Sequence, residues 1–203
     1  MQHCQPIAVF DAFETLVQYK DFNTFLDVTP EVARLRKVFR DSGKTLGRQE
    51  YMNALDENLA SGRLQTECLH GVEATLDNLA EQGYALAVYS YSNPNGLLAM
   101  VEQAGLMRLF PDRNLLLTCY DLQGLPKHDP EAFVALEQRL GKKRYELKLF
   151  ADDDSKVIEA AVLSQASIPR VYHVNAGFKG AVPLQEGKKI TVASVNQILE
   201  LKK

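Results

Sequence analysis

An α/β fold, a parallel sheet covered by helices, is what this sequence predicts, on three observations. Short apolar runs alternate with amphipathic helical stretches along most of the chain, the signature of strand–helix–strand units. Residues 7–10 and 84–89 are apolar without alternation, as strands buried on both faces are. The 203 residues include 46% hydrophobic and 24% charged side chains, enough for one domain with a real core.

The elements follow in order. Residues 7–10 (Ile-Ala-Val-Phe) form a strand that stops abruptly at Asp11. Thr29-Pro30-Glu31 opens a helix running to about Ser42, and residues 48–60 carry a second helical pattern. Residues 71–82 place Val72, Leu76 and Leu79 on one helical face, closed by Gly83. The strand at 84–89 ends at Ser90, and Asn93-Pro94 starts the next helix with a cap followed by proline. Residues 114–119 are a third strand. Asp129 caps a helix that begins at Pro130 and is expected to stop at Gly141. Residues 147–151 are a fourth strand, ending in Asp152-Asp153-Asp154, with a helix over 155–165. Residues 170–174 and 189–192 are weaker strands, and Ser194-x-x-Gln197 reads as a capping box opening a last helix. The two helical patterns after the first strand interrupt the alternation. The expected division is therefore a core of residues 1–17 and 71–203 with a small helical insertion at 18–70.

Composition excludes several classes of function. Lys and Arg number 23 against 26 Asp and Glu, a net charge of −3, so no basic surface is expected for nucleic acid. No apolar run approaches the roughly 20 residues that span a bilayer, and the first residues have no basic-then-apolar signal pattern. Cys4, Cys68 and Cys119 are odd in number and widely spaced, which indicates reduced thiols and a cytoplasmic-type setting, a secreted effector being left open. Cys119 alone sits at a strand end, where reactivity is worth testing.

Ligands of open α/β sheets lie beyond the C-terminal strand ends. There the sequence places Asp11, Ser90 and the Asp152-Asp153-Asp154 run, with Lys127 in the loop before Asp129. A carboxylate, a hydroxyl, an ammonium and an acidic cluster suit phosphoryl transfer through an aspartyl intermediate. The carboxylate attacks phosphorus, the hydroxyl and ammonium hold phosphate oxygens, and acidic oxygens hold magnesium.

Four segments also resemble the haloacid dehalogenase superfamily. Phe10-Asp11-Ala12-Phe13-Glu14-Thr15-Leu16 is similar to its first motif, Asp-x-Asp-x-Thr. Tyr89-Ser90 is similar to its second, Lys127-His128-Asp129-Pro130 to its third, and Phe150-Ala151-Asp152-Asp153-Asp154 to its fourth. The resemblance spans residues 7–161 in family order. It implies a Rossmann-like three-layer parallel sheet with a small inserted helical cap. It further implies Asp11 as nucleophile, Ser90 and Lys127 as catalytic phosphate holders with Tyr91 as a further substrate contact, and Mg2+ on Asp11, the Phe13 carbonyl and Asp153.

The departures narrow the chemistry. Phe13 stands where phosphatases of the family carry the aspartate that protonates the leaving group, Glu14 stands where many have glycine, and Val157 replaces a second acidic residue. General acid catalysis supplies about 10² to 10⁴ in rate. Its loss is tolerated best by a halide or a phenolate, because a tyrosine hydroxyl has a pKa of only about 10. The acidic run favours a metal-dependent phosphatase over a metal-independent 2-haloacid dehalogenase, since clustered carboxylates repel without a cation. The expected substrate is an aryl phosphate such as phosphotyrosine in a phosphoprotein. A catalytically silent binding module is the third reading, supported by Phe13 and Val157. His70, His128 and His173 are expected on the surface or in loops.

Overall fold

Residues 4–42, 47–177 and 184–198 are described by the computed structural model. Their centre is β1 (Gln5–Phe10), flanked by β4 (Ala85–Ser90) and β6 (Tyr145–Asp152). The sheet extends through β5 (Leu116–Thr118) on one side and through β7 (Arg170–Val174), β9 (Lys189–Val192) and β8 (Leu184–Glu186) on the other. Its order is β5-β4-β1-β6-β7-β9-β8, parallel throughout except for the antiparallel β8–β9 pair at the edge.

The apolar runs are continuous because the sheet is covered twice. Successive side chains of a strand point to opposite faces. Ala8 and Phe10 therefore join one core with Leu86 and Val88, whereas Ile7 and Val9 join the other with Ala87 and Tyr89. The first face is packed by α4 (Val72–Glu81) and α5 (Pro94–Gln103) through Leu76, Leu79, Leu97 and Met100. The second is packed by α6 (Pro130–Lys142) and α7 (Ser155–Leu163) through Phe133, Leu136, Leu140 and Ile158. Val157, where the sequence departs from the acidic pattern, is fully buried in that second core.

Helix starts follow their capping chemistry. Asn93 accepts a hydrogen bond from the Gly96 N–H at 2.9 Å, and Asp129 accepts one from Glu131 at 2.9 Å. Several expectations require correction. Helix α6 runs through Gly141 to Lys142, because a glycine with no positive φ is tolerated inside a helix. Residues 113–115 are a 3-10 turn, so β5 begins only at Leu116. Thr29 does not cap: its hydroxyl donates back to the Phe25 carbonyl. In the Ser194-x-x-Gln197 box, Gln197 accepts from the Ala193 N–H at 2.7 Å, one residue before Ser194, and a 3-10 turn follows at Val195–Ile198. The remainder of the expected last helix lies outside the described residues.

Between β1 and α4 the described residues form three helices instead of two: α1 (Phe22–Val28), α2 (Pro30–Asp41) and α3 (Arg48–Ala60). Helix α1 is one short stretch with no side-chain cap, so it leaves little signal in sequence. An antiparallel ribbon of β2 (Val17–Tyr19) and β3 (Thr66–Cys68) carries the chain out from β1 and back. Helix α3 then packs on α5, where the Gln103 amide donates to the Leu59 carbonyl at 3.0 Å. No helix among the described residues is long and apolar enough to cross a membrane.

Leu136 is 0% exposed in the second core. Leu136→Ala is expected to lower unfolding free energy by about 3 kcal/mol, through lost apolar transfer and a residual cavity. Urea denaturation with an unchanged m-value is the measurement that checks it.

Candidate active site

The register of the sheet decides what meets Asp11. Phe10 pairs with Val88 of β4 on one side and with Ala151 of β6 on the other, so the three strands end together. The Asp11 N–H continues the ladder by donating to the Ala151 carbonyl at 2.8 Å. This sets Asp11 beside Asp152. Lys127 enters from the turn before α6, and its Nζ lies 2.5 Å from Asp11 Oδ1 and 2.6 Å from Asp152 Oδ2.

The lysine is 1% exposed, a placement that a charged side chain tolerates only when paired. Besides two carboxylates it meets aromatic faces, with Nζ 5.3 Å from the Tyr89 ring centre and 5.5 Å from that of Tyr91. Burial opposes its charge, but Asp11 and Asp152 outweigh burial and hold the ammonium well above the ordinary lysine range.

The acidic run divides into three roles. Asp152 is buried, binds Lys127 through Oδ2 and accepts the Asp154 N–H through Oδ1 at 2.9 Å. Asp154 caps α7, accepting from the Lys156 N–H at 2.9 Å. Asp153 is half-buried and faces a cleft. One carboxylate oxygen from each of Asp11, Asp152 and Asp153 can be chosen so that all lie within 4.8 Å of one another. Lys127 pairs with two of these three carboxylates, Asp11 and Asp152. Burial raises Asp11 to about 7, Asp152 adding to the rise and Lys127 opposing it. Burial likewise raises Asp153 to about 8, reinforced by Asp11 and Asp152. Hard oxygen donors with excess negative charge fit a small divalent cation such as Mg2+.

The other sequence candidates fall around this centre. Ser90 ends β4 next to β1, is 4% exposed, and its Oγ accepts the Ser92 N–H at 3.2 Å. No contact among the described residues joins its hydroxyl to Asp11 or Lys127. Ser92, two residues on, is also buried. The Tyr91 hydroxyl is occupied by His128, 2.9 Å from Nδ1 and accepting the His128 N–H at 3.2 Å, so what Tyr91 presents is its ring. Over that ring lies the Arg48 guanidinium, 4.0 Å from its centre. His128 is exposed in a turn, as expected, whereas His173 lies within β7, its Nε2 3.2 Å from the Asp153 carbonyl. Burial pushes the Cys119 thiol up, so it has no thiolate character at neutral pH.

Phe13 stacks its ring on Tyr19, with ring centres 4.1 Å apart, and Tyr19 meets Phe22 at 4.8 Å. These three rings, with Glu14, Asp153 and Asn196, line a cleft of about 830 Å³. Glu14 takes a left-handed φ of 61°, a conformation glycine adopts without strain. Sequence reasoning missed Asp152 as the lysine's second partner and Tyr19 and Phe22 as lining. Asp152 owes its place to strand register, since it follows the residue opposite Phe10, and that alignment is not written in the local sequence. The two rings were missed because α1 and β2 leave little pattern.

Asp11 and Asp153 keep protons to higher pH in the folded chain than in the unfolded one. Their protonation therefore favours folding, and the metal-free protein is expected to lose stability as pH rises through 7 and 8. Magnesium should restore it most at the alkaline end. Thermal melts at two pH values bracketing that range, with EDTA or with MgCl2, check this. Equal magnesium stabilisation at both would contradict it.

No family model and no curated protein matches the chain. Solved structures do. The chain is similar to the L-2-haloacid dehalogenase RSc1362, at 17% identity and TM-score 0.63 over 97% of this chain and 98% of that one. It is similar to the magnesium-bound YfnB of Bacillus subtilis, described as a HAD hydrolase, at 15% identity and TM-score 0.63 over 98% of both chains. A HAD phosphatase from Thermococcus onnurineus matches at 15% identity and TM-score 0.60 over 97% of both. With that coverage, a parallel sheet ending in Asp11, and Lys127 bridging Asp11 to Asp152, the chain has the fold of the haloacid dehalogenase superfamily.

Proposed function

We propose that the chain is a magnesium-dependent phosphomonoester hydrolase working through an aspartyl-phosphate, with an aryl phosphate such as phosphotyrosine in a protein as its substrate class. The observation that carries the proposal is the buried Lys127 spanning Asp11 and Asp152, with Asp153 beside them at the strand ends.

Asp11 supplies the nucleophile. One carboxylate oxygen forms a bond to phosphorus as the bond to the leaving oxygen breaks and its electron pair departs with that oxygen. Water then attacks the aspartyl-phosphate, releasing inorganic phosphate and restoring the carboxylate. The nucleophile must be ionised, and the ammonium 2.5 Å away favours that form. Lys127 and the Ser90 hydroxyl are assigned to the phosphate oxygens. Asp11, Asp153 and the Phe13 carbonyl would hold Mg2+, which when bound neutralises charge on the transferring group. Phe13 carries no proton for the leaving group, so a leaving phenolate suits the site better than an alkoxide. The aromatic lining by Phe13, Tyr19 and Phe22 supports the same preference, offering faces on which an arene can stack.

A second reading, metal-independent 2-haloacid dehalogenation, draws on Phe13, because a halide leaves without a proton. Against it stands the carboxylate trio with one ammonium among them, which lacks charge balance without a metal.

Hydrolysis of p-nitrophenyl phosphate and of a phosphotyrosine peptide in MgCl2 tests the proposal. EDTA should abolish it, and Asp11→Asn should lower kcat by about 10³-fold or more. Alkyl phosphates should be turned over about 10²-fold less efficiently than aryl ones. Halide release from 2-chloropropionate in EDTA would establish the second reading instead, and Asp11→Asn rates equal to wild type on every substrate would refute both.

A further inference from the structure

Asp56 is a carboxylate of α3 that is 2% exposed, outside the acidic trio. It sits over the N-terminus of α5. Its Oδ2 accepts the Asn93 N–H at 2.7 Å, and its Oδ1 is buried with no hydrogen-bond partner. The same contact explains Gly96: a Cβ there would lie 2.1 Å from Asp56 Oδ1. Burial raises Asp56 to about 6, opposed by the Asn93 N–H and the Ser92 hydroxyl.

For stability alone this arrangement is poor. A glycine in the first turn of α5 is less favourable than alanine, and a half-satisfied buried carboxylate is less favourable than an apolar side chain. What it achieves is local. The turn at 90–93 joins the end of β4 to α5, and two of its N–H groups have fixed acceptors: Ser92 on the Ser90 Oγ, and Asn93 on Asp56. One acceptor belongs to the turn itself; the other reaches in from the helical segment between β1 and α4.

We infer that Asp56 is a positioning residue, which fixes from α3 the turn that presents Ser90 to the substrate phosphate. The inference rests on the phosphatase reading above. Asp56 touches neither substrate nor metal. It acts by holding the Asn93 N–H, so that the turn keeps one conformation before phosphate arrives and binding does not have to order it.

The test uses the full chain with MgCl2 and p-nitrophenyl phosphate. In Asp56→Ala, KM and the inhibition constant for inorganic phosphate should both rise about tenfold, with kcat within about threefold of wild type. Hydrogen exchange of the amides at 91–96 should quicken. Asp56→Asn keeps an acceptor for Asn93 and should bring phosphate affinity back to within about threefold of wild type. Gly96→Ala displaces the carboxylate without removing it and should raise KM as Asp56→Ala does, which decides the matter if Asp56→Ala fails to fold. Wild-type KM and phosphate inhibition in Asp56→Ala, or in Gly96→Ala where Asp56→Ala does not fold, would overturn the inference while leaving the hydrolase reading intact. Absence of turnover in the wild type would overturn the hydrolase reading first and this inference with it.

Discussion

A lysine amino group buried between two carboxylates is the constraint on which the arrangement of this molecule depends. Each of the three charges alone would be too costly to bury. Together they hold three segments distant in sequence at one point: the end of β1, the turn before α6 and the end of β6. The ammonium does not finish the charge balance, because Asp153 adds a third carboxylate at the edge of the cleft. The residual negative charge is what supports the proposed Mg2+ site. Ion pairing here organises the Asp11 carboxylate, and the apolar layers on the two sheet faces supply the stability that makes so polar a centre tolerable.

Those layers also place the rest of the site. Parallel pairing brings the C-terminal ends of β4, β1 and β6 side by side, so the Ser90 hydroxyl, the Asp11 carboxylate and an acidic pair arise next to one another. The segment between β1 and α4 then completes the walls. Its ribbon starts six residues after Asp11 and brings Tyr19 onto the Phe13 ring, and its third helix reaches α5 with Asp56. Phe13 illustrates how one side chain serves two ends: its ring belongs to an aromatic ladder with Tyr19 and Phe22, and its backbone stays at the strand end. The Phe13 ring thereby gives the cleft an apolar face.

Much of this was legible residue by residue. Continuous apolar runs marked β1, β4 and β6, and the cap pairs Asn93-Pro94 and Asp129-Pro130 marked two helix starts, because both signals are written in adjacent residues. Asp11, Lys127 and the acidic run could be picked out as strand-end chemistry for the same reason. Helix α1 and the β2–β3 ribbon were not legible. Both are short: α1 has no side-chain cap, and the ribbon forms only when β2 meets β3 across the helical segment between them.

The sequence by itself determined the layered α/β class, the strand ends, and the identities of the charged groups, since periodicity and capping act over a few neighbouring residues. How those charges pair is set by the three-dimensional arrangement of the strands and helices. Asp152, not Asp153, takes the lysine; Asp154 spends its carboxylate on a helix cap; His128 occupies Tyr91; Asp56 crosses to α5. The reason is register: whether a carboxylate at a strand end meets an ammonium, a helix terminus or open solvent depends on how neighbouring strands and helices align, and no local pattern encodes that alignment.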